Sequence, residues 1–385
     1  GQPGLQGLGL SLIGPRRVLR IPICQGHRFM LIIDYTQLAP HIPFLRVLGL
    51  TLVERSVLAA AAAGFAQVRI AASPDVADRI RSILTVHPKV RIPVQYVAAV
   101  PDEPDACILP GNAVVTAAGM KGLWDGTLTV ASLSADAMAL IDGDDLRPAE
   151  KVLLNALRKQ TDGIVSRHIN RHISLFLSRR LARLPVHPNQ ITAVVFLIGM
   201  AAGPLAFFLN SYMGFLLAGL CYWVSAVLDG CDGEISRLKY QGSPLGAWLD
   251  TVVDDLAGLS FILGLYGRLA LDQRGYWPVI GAATIALYLV TLLPRYWVMA
   301  RSGSGDFQKL AAKKKPASVG GAGRIVAIAR DVFFRTDFIP FYAFVTTAAG
   351  CLFAFAIPFS IGTVASAVDS IVDVIRVNRY RSQKP

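Results

Sequence analysis

Residues 229–254 read DGCDGEISRLKYQGSPLGAWLDTVVD, and the rest of the chain is understood from them. On helices, Asp229 and Asp232 lie three residues apart and Asp250 and Asp254 four apart, so each pair shares a helix face. On the same count Gly233, Ser236 and Arg237 fall near the Asp229 stripe, while Gly246 and Gly258 stack above and below Asp250 and Asp254. Uncharged apolar sequence flanks the stretch on both sides. It sets the carboxylates at or near a membrane boundary, where ionisable side chains are expensive and mark function. Carboxylates gathered there repel one another and take up protons unless a cation sits among them. An all-oxygen donor set of this kind suits Mg²⁺ or Mn²⁺.

Composition agrees with the membrane setting. Of 385 residues, 53% are hydrophobic and only 17% charged, and the mean hydropathy of +0.48 is too high for an ordinary soluble protein of this length. The net charge of +12 does not indicate nucleic acid, because the basic residues cluster beside apolar runs and lack the interleaved aromatics of a base-stacking surface. Anionic lipid and phosphate-bearing substrates are the better partners. Cys24, Cys107, Cys221, Cys231 and Cys351 show neither CxxC nor His spacing, which argues against a zinc site or a disulfide framework. Cys231 reads as a small helix residue.

Working outward, Ile191 to Leu228 carries no charge and is long enough for two spans with a turn at NSYMG. Asp250 to about Leu271 makes a third span, Tyr276 to about Met299 a fourth, Phe338 to Ile357 a fifth and Ser360 to about Val377 a sixth, giving an all-α, six-helix membrane domain over 191–380. Basic residues crowd the connector before it, the 230–245 turn, the 300–335 loop and the carboxyl end. By the positive-inside rule both termini and the acidic stretch face the cytoplasm of a multi-pass protein in the cell's cytoplasmic membrane. No basic start followed by an apolar core is seen in the first residues, so no signal peptide is expected.

Upstream, residues 1–28 are rich in Gly and Pro and form an irregular segment. Over 29–145 short apolar runs alternate with amphipathic helix: FMLIID, then LVERSVLAAAAAGF, AQVRIAAS and DVADRIRSILTV, followed by the strand-like VRIPVQYVAAV, ACILPGNAVVT and GTLTVASLS. This predicts a Rossmann-like α/β domain with a mostly parallel sheet on the cytosolic side. Residues 146–190 form a basic connector, with Ile169, Ile173, Phe176, Leu177 and Leu181 at helical spacing among arginines, as in an amphipathic helix on an anionic membrane surface. His168, His172 and His187 are too irregularly placed for a ligand set.

The pattern Asp229-x2-Asp232-Gly233-x2-Ser236-Arg237-x8-Gly246-x3-Asp250-x3-Asp254 resembles the signature of the CDP-alcohol phosphotransferases, with Ser236 where that family ordinarily has Ala. The resemblance covers roughly 155–380. KQTDGIVSRHINRHIS, followed by PNQIT, is similar to the version of the family with a nucleotidyltransferase-like domain at its amino end, as in enzymes making inositol-containing phosphodiesters. It implies displacement of CMP from a CDP-linked donor, such as CDP-diacylglycerol, by a polar alcohol, with inositol or its phosphate as a candidate acceptor. Asp229, Asp232 and Asp250 would bind two divalent ions, Mg²⁺ or Mn²⁺, and Asp254 would complete the site as a fourth metal ligand and act as general base. Gly233 and Gly246 would leave room for the cytidine, near Ser236, and Arg237 would contact a nucleotide phosphate or pair with an acid. Two metals about 4 Å apart suit attack on a pyrophosphate, since they neutralise its charge and stabilise the leaving group. The resemblance also implies a homodimer.

Other residues keep two readings. Arg295, Tyr296 and Arg301 would grip a phosphate on the acceptor, or the two arginines anchor the helix end among headgroups. Asn189 and Thr192 would contact the diphosphate or cap a helix. Asp369 and Asp373 with Arg376 read as a structural ion pair, and Asp255 points away from the Asp250 stripe.

The order of elements over 29–145 resembles sugar-phosphate nucleotidyltransferases, with GLTLVERSVLAAAAAGFAQVRIA at that family's helix-then-strand. Its chemistry is missing: DYTQLAPHIP replaces the Gly-rich basic loop after the first strand, and Asn112 stands where an acid is wanted. A scaffold without that activity is favoured over a working cytidylyltransferase. A cation or proton transporter would explain the acids, but not Gly233, Arg237 and Gly246.

Overall fold

The structure is a computed structural model that describes residues 30–103, 106–158, 162–273, 275–302 and 338–382. The side chains of 295, 298, 299, 301, 302 and 369–382 are not among those described. The irregular segment 1–28 and most of the basic 300–335 loop therefore lie outside the described residues, as do the side chains of Arg295, Arg301, Asp369, Asp373 and Arg376.

The amino-terminal part is built on β1 (Met30–Asp34), whose Leu31, Ile32 and Ile33 are fully buried. An unbroken apolar strand of this kind needs cover on both faces, the condition of a parallel sheet. β4 (Gln67–Ala71) and β6 (Cys107–Pro110) flank β1, and β5 (Val94–Val97) lies beyond β4, all parallel in the order β5-β4-β1-β6. Leu31 stands opposite Val68 on one side and Cys107 on the other.

The crossover to β4 is α1 (Leu52–Ala63). Thr51 and Glu54 form a reciprocal capping box at its start, and Gly64 at φ +108° ends it. α2 (Pro74–Val86) crosses from β4 to β5, and Val53, Val57, Ile80 and Leu84 of the two helices close over Leu31, Ile33 and Ile70. Between β1 and α1 runs a hairpin of β2 (Arg46–Val47) and β3 (Leu50–Thr51).

β7 (Ala113–Val115) and β8 (Met138–Leu140) pair antiparallel around α3 (Ala117–Trp124). GTLTVASLS, expected as a strand, is not one. Asp125 Oδ1 accepts from both the backbone and the hydroxyl of Thr127, Gly126 takes φ +75°, and Val130–Ser132 closes into a short 3-10 turn. Local side-chain bonds of this kind outcompete a ladder.

The carboxyl-terminal part is helical. α4 (Arg147–Asn155) and α5 (Arg171–Leu181) precede α6 (Pro188–Phe208), α7 (Tyr212–Leu238), α8 (Pro244–Asp272), α9 (Trp277–Ser302), α10 (Phe338–Ala348) and α11 (Leu352–Ser382). Among the described residues three helices are long and apolar enough to cross a membrane: Pro188–Phe208, Tyr212–Leu238 and Trp277–Pro294. α10 and the apolar stretch Leu352–Val368 are shorter, and α8 carries charges along its 29 residues.

The last two helices divide at 349–351, not near Ile357 as expected. Cys351 N donates to Thr346 O, Gly350 N donates to Thr347 O, and Gly350 takes φ +69°, a Schellman ending. Pro358 lies inside α11.

α6 and α8 touch backbone to backbone. A Cβ on Gly203 would lie 2.3 Å from Ser260 O, and one on Gly264 2.2 Å from Gly203 O. Small residues at helical spacing permit such approach where lipid gives no hydrophobic drive to associate. Phe261, Leu265 and Tyr266 of α8 complete a core with Ala202 and Ala206 of α6, Ala218 of α7, and Phe355 and Phe359 of α11.

Candidate active site

α7 and α8 carry the acids. α7 ends at Leu238, and after four intervening residues Ser243 caps α8, its Oγ accepting from Gly246 N at 3.0 Å with Pro244 in the first turn. This short reversal folds the second helix back on the first. Asp229, Asp232 and Asp250 each offer a carboxylate oxygen, all within 4.8 Å of one another. Asp232 is buried and accepts from Thr192 Oγ1 of α6 at 2.5 Å. Asp229 Oδ1 is buried without a hydrogen-bond partner among the described residues. Three converging carboxylates, one with an orphaned oxygen, offer oxygen donors of the kind that suits a hard divalent cation. Space is available as well: above Gly233 the nearest atom to an added Cβ is Arg237 Nη2, at 3.9 Å.

The other residues of the sequence pattern take distinct places. Asp254 stands one turn beyond Asp250, exposed and outside the group of three, yet near enough to act electrostatically on Asp229. At Gly246 an added Cβ would meet Ser243 Oγ at 3.0 Å and Asn189 Oδ1 at 3.8 Å, so Asn189 faces the start of α8. The cap of α6 is His187, whose Nδ1 accepts from Asn189 N and whose backbone N donates to Gln190 Oε1. Ser236 faces the turn, its Oγ 3.4 Å from where a Cβ on Gly242 would sit. Arg237 is exposed at the end of α7. Asp255, beside Asp254, is buried and accepts from Tyr296 Oη at 2.9 Å, which ties α8 to α9. Cys231 is fully buried with its thiol toward Ser174 O, consistent with a packing role.

One residue inside the motif escaped the sequence reading. Glu234 is completely buried and accepts from Arg171 Nη1 at 2.6 Å and from Ser174 Oγ at 2.7 Å, both on α5. Arg171 also grips Asp162 with Nε at 2.8 Å and Nη2 at 3.1 Å. Burial opposes the charge on Arg171, but the hydrogen bonds to Asp162 and the charge of Glu234 outweigh it and hold the guanidinium above its ordinary pKa. A third acid in a helix whose first four turns carry no charge was the available signal. Its partner, 63 positions away, was not readable from spacing. On α5 the face toward α7 consists of Arg171, Ser174, Leu175 and Ser178, while Ile173 and Phe176 are exposed and Arg180 stacks on Phe176.

In the α/β part, the crevice where the sheet order reverses lies at the ends of β1 and β6, the usual place for a ligand in such sheets. Here Tyr35 packs against Gly111 so closely that an added Cβ would lie 2.3 Å from its ring. Burial pushes the Tyr35 hydroxyl above its ordinary pKa. Asn112 donates from Nδ2 to Ile141 O and serves the β-structure.

Residues 185–362 match the family model described as CDP-alcohol phosphatidyltransferase. The chain is similar to the bifunctional IPC transferase and DIPP synthase of Archaeoglobus fulgidus, 39% identical over 131 residues, covering 33% of this chain and 26% of that protein. It is also similar to the protein of the same description from Aquifex aeolicus, 35% identical over 146 residues, 38% of this chain and 32% of the relative. The archaetidylinositol phosphate synthase of Pyrococcus horikoshii is 33% identical over 115 residues, 30% of this chain and 57% of that protein. The matches thus span from about a quarter to somewhat over half of these relatives' own lengths.

Proposed function

Because residues 185–362 form a CDP-alcohol phosphatidyltransferase domain, we propose that this protein transfers a phosphatidyl or phospho-alcohol group from a CDP-linked donor, such as CDP-diacylglycerol, to the hydroxyl of a polar alcohol and releases CMP. The observation that carries the reading is the meeting of Asp229, Asp232 and Asp250 from two helices within 4.8 Å. The names of the similar proteins, which include an archaetidylinositol phosphate synthase, favour an acceptor of the inositol phosphate class.

Asp229, Asp232 and Asp250 hold two divalent cations, Mg²⁺ or Mn²⁺, with Thr192 fixing the Asp232 carboxylate. When bound, such cations neutralise pyrophosphate charge and stabilise the departing CMP. Gly233, with no atom nearer than 3.9 Å to an added Cβ, leaves room for the cytidine, and Gly246 and Asn189, which lie beside each other at the start of α8, border it. Arg237 reaches a donor phosphate from the end of α7, and Arg295 and Arg301 supply the grip on an acceptor phosphate. Asp254, exposed next to the three acids, takes the proton of the acceptor hydroxyl. The new phosphorus–oxygen bond forms as the bond to the CMP oxygen breaks. A carboxylate is a weak base, so Asp254 contributes mainly through position.

In this reading α6 to α11 all cross the membrane, and the α/β part (29–145), the connector (146–190) and the site face the cytoplasm. Two copies form a homodimer. The α/β part serves as a scaffold, supported by the tyrosine that fills its crevice.

The test is to incubate purified protein with CDP-diacylglycerol, divalent metal and a mixture of polar alcohols that includes inositol and inositol phosphate, reading products by mass. A lipid carrying inositol phosphate supports the reading. No CMP released from any CDP-linked donor defeats it.

A further inference from the structure

We propose that the α/β part clamps the turn between the two acid-bearing helices, and that Arg55 is a positioning residue for the acid cluster. Arg55, on α1, is 2% exposed and donates from Nη1 to Leu238 O at 3.0 Å, the last residue of α7. Its Nη2 donates to Val47 O at 2.7 Å and Leu48 O at 3.5 Å in the hairpin. Among the described residues no carboxylate lies within ion-pair distance of it, and burial pushes its pKa down to about 10 against the smaller opposing charges of Tyr240 and Glu54. A cation buried without a counter-ion is costly. What it gains is the negative end of α7 and carbonyls that the helix itself leaves open.

The contact is strained on both sides. α7 ends in a Schellman motif, with Gln241 N donating to Ser236 O and Tyr240 N to Arg237 O, and the left-handed position is held by Tyr240 at φ +52° where glycine is usual. Facing it, Leu48 takes φ +48° and is 1% exposed, packed with Leu238, Leu175 and Ala182. Beside it Gly49 takes φ +88°, and its Cβ position lies 2.2 Å from Ala182 O, so only glycine allows the approach. Left-handed conformations at branched and bulky residues cost about 1–3 kcal/mol each and persist only where surroundings over-determine them.

Two lysines complete the fastening: Lys89 Nζ donates to Tyr240 O at 3.2 Å, and Lys239 Nζ donates to Leu184 O at 2.6 Å and Val186 O at 3.1 Å. The carbonyls of 238 and 240 are therefore both bound from the α/β part. This turn alone links Asp232 to Asp250 along the chain, so its geometry sets how the acids of α7 meet the acid of α8.

The inference rests on the reading of the acids as a metal site, and the test separates the two. Full-length protein and its Arg55→Met, Arg55→Lys, Lys89→Met and Asp232→Asn variants are compared by Mn²⁺ binding, read from free Mn²⁺ by electron paramagnetic resonance, and by hydrogen exchange of amides 239–242. Arg55→Met should speed that exchange about tenfold and raise the half-saturating Mn²⁺ about fivefold, with Arg55→Lys between it and the wild type. If Arg55→Met does not fold, Lys89→Met should shift both readouts in the same direction, by about threefold. Exchange and Mn²⁺ binding both unchanged in the folded variant would overturn the clamp. Wild-type protein that binds no Mn²⁺, or Asp232→Asn that binds as well as wild type, would instead overturn the metal reading, and the exchange rates would still decide the clamp.

Discussion

Replacing Arg171 with methionine isolates the buried charges that fasten α5 to α7. The guanidinium makes three bonds, two to Asp162 and one to Glu234 at 2.6 Å. Without it, Glu234 keeps only the Ser174 hydroxyl, while its Oε2 is already without a partner among the described residues. Removing one member of a buried pair leaves a charge that neither solvent nor protein neutralises, at a cost of about 3–5 kcal/mol. A loss of that size lowers the apparent melting temperature by about 10 °C.

Tryptophan fluorescence of the purified protein is the natural assay, because Trp223 Nε1 donates to Asn170 Oδ1, next to Arg171. Arg171→Met combined with Glu234→Leu removes one of the two acids that the arginine leaves behind and should recover part of the loss, the rest staying with Asp162, which still forfeits its two bonds. A single variant that melts within about 1 °C of the wild type would refute the reasoning. So would a double variant that loses as much as the two single changes added together.

Two further expectations follow from single contacts. Thr192→Val deletes the hydroxyl that holds Asp232 while preserving shape, and should weaken Mn²⁺ binding about tenfold with little change in melting; unchanged binding would remove Thr192 from the site. Gly49→Ala places a methyl against Ala182 O at a left-handed backbone position and should destabilise by about 2 kcal/mol or more, read by denaturation; wild-type stability there would mean that the hairpin does not need its close approach.

Much of this molecule is written locally. The spacing of Asp229, Asp232 and Asp250 encodes shared helix faces, and the reversal at 239–243 brings those faces together. FMLIID predicts a buried strand because a run without polar alternation needs cover on both sides, and AQVRIAAS predicts a strand whose Gln67 and Arg69 alternate with buried Val68 and Ile70; β1 and β4 pair parallel.

What was not legible depends on contacts between distant positions. Glu234 needed Arg171, and the function of Arg55 needed the end of a helix 183 residues later. Residues 126–134 have strand-like composition, but local hydrogen bonds of Asp125 and Ser132 decide their path. The last helix pair was expected to divide between Ile357 and Ser360, whereas Gly350 makes the break, because a Schellman ending needs the left-handed residue and the helix runs on through Pro358. Asp254 shares the Asp250 face by spacing and stands exposed one turn beyond it, beside the three acids whose oxygens meet; its part as ligand and base comes from the resemblance.

The most direct measurement is CMP release from CDP-diacylglycerol by the purified protein, with Mg²⁺ or Mn²⁺ present, with metal removed by chelation, and after Asp232→Asn. Release should depend on metal, return when metal is restored, and fall by about a hundredfold or more in the variant. Release that persists in chelator, or that Asp232→Asn leaves intact, would contradict metal-dependent transfer.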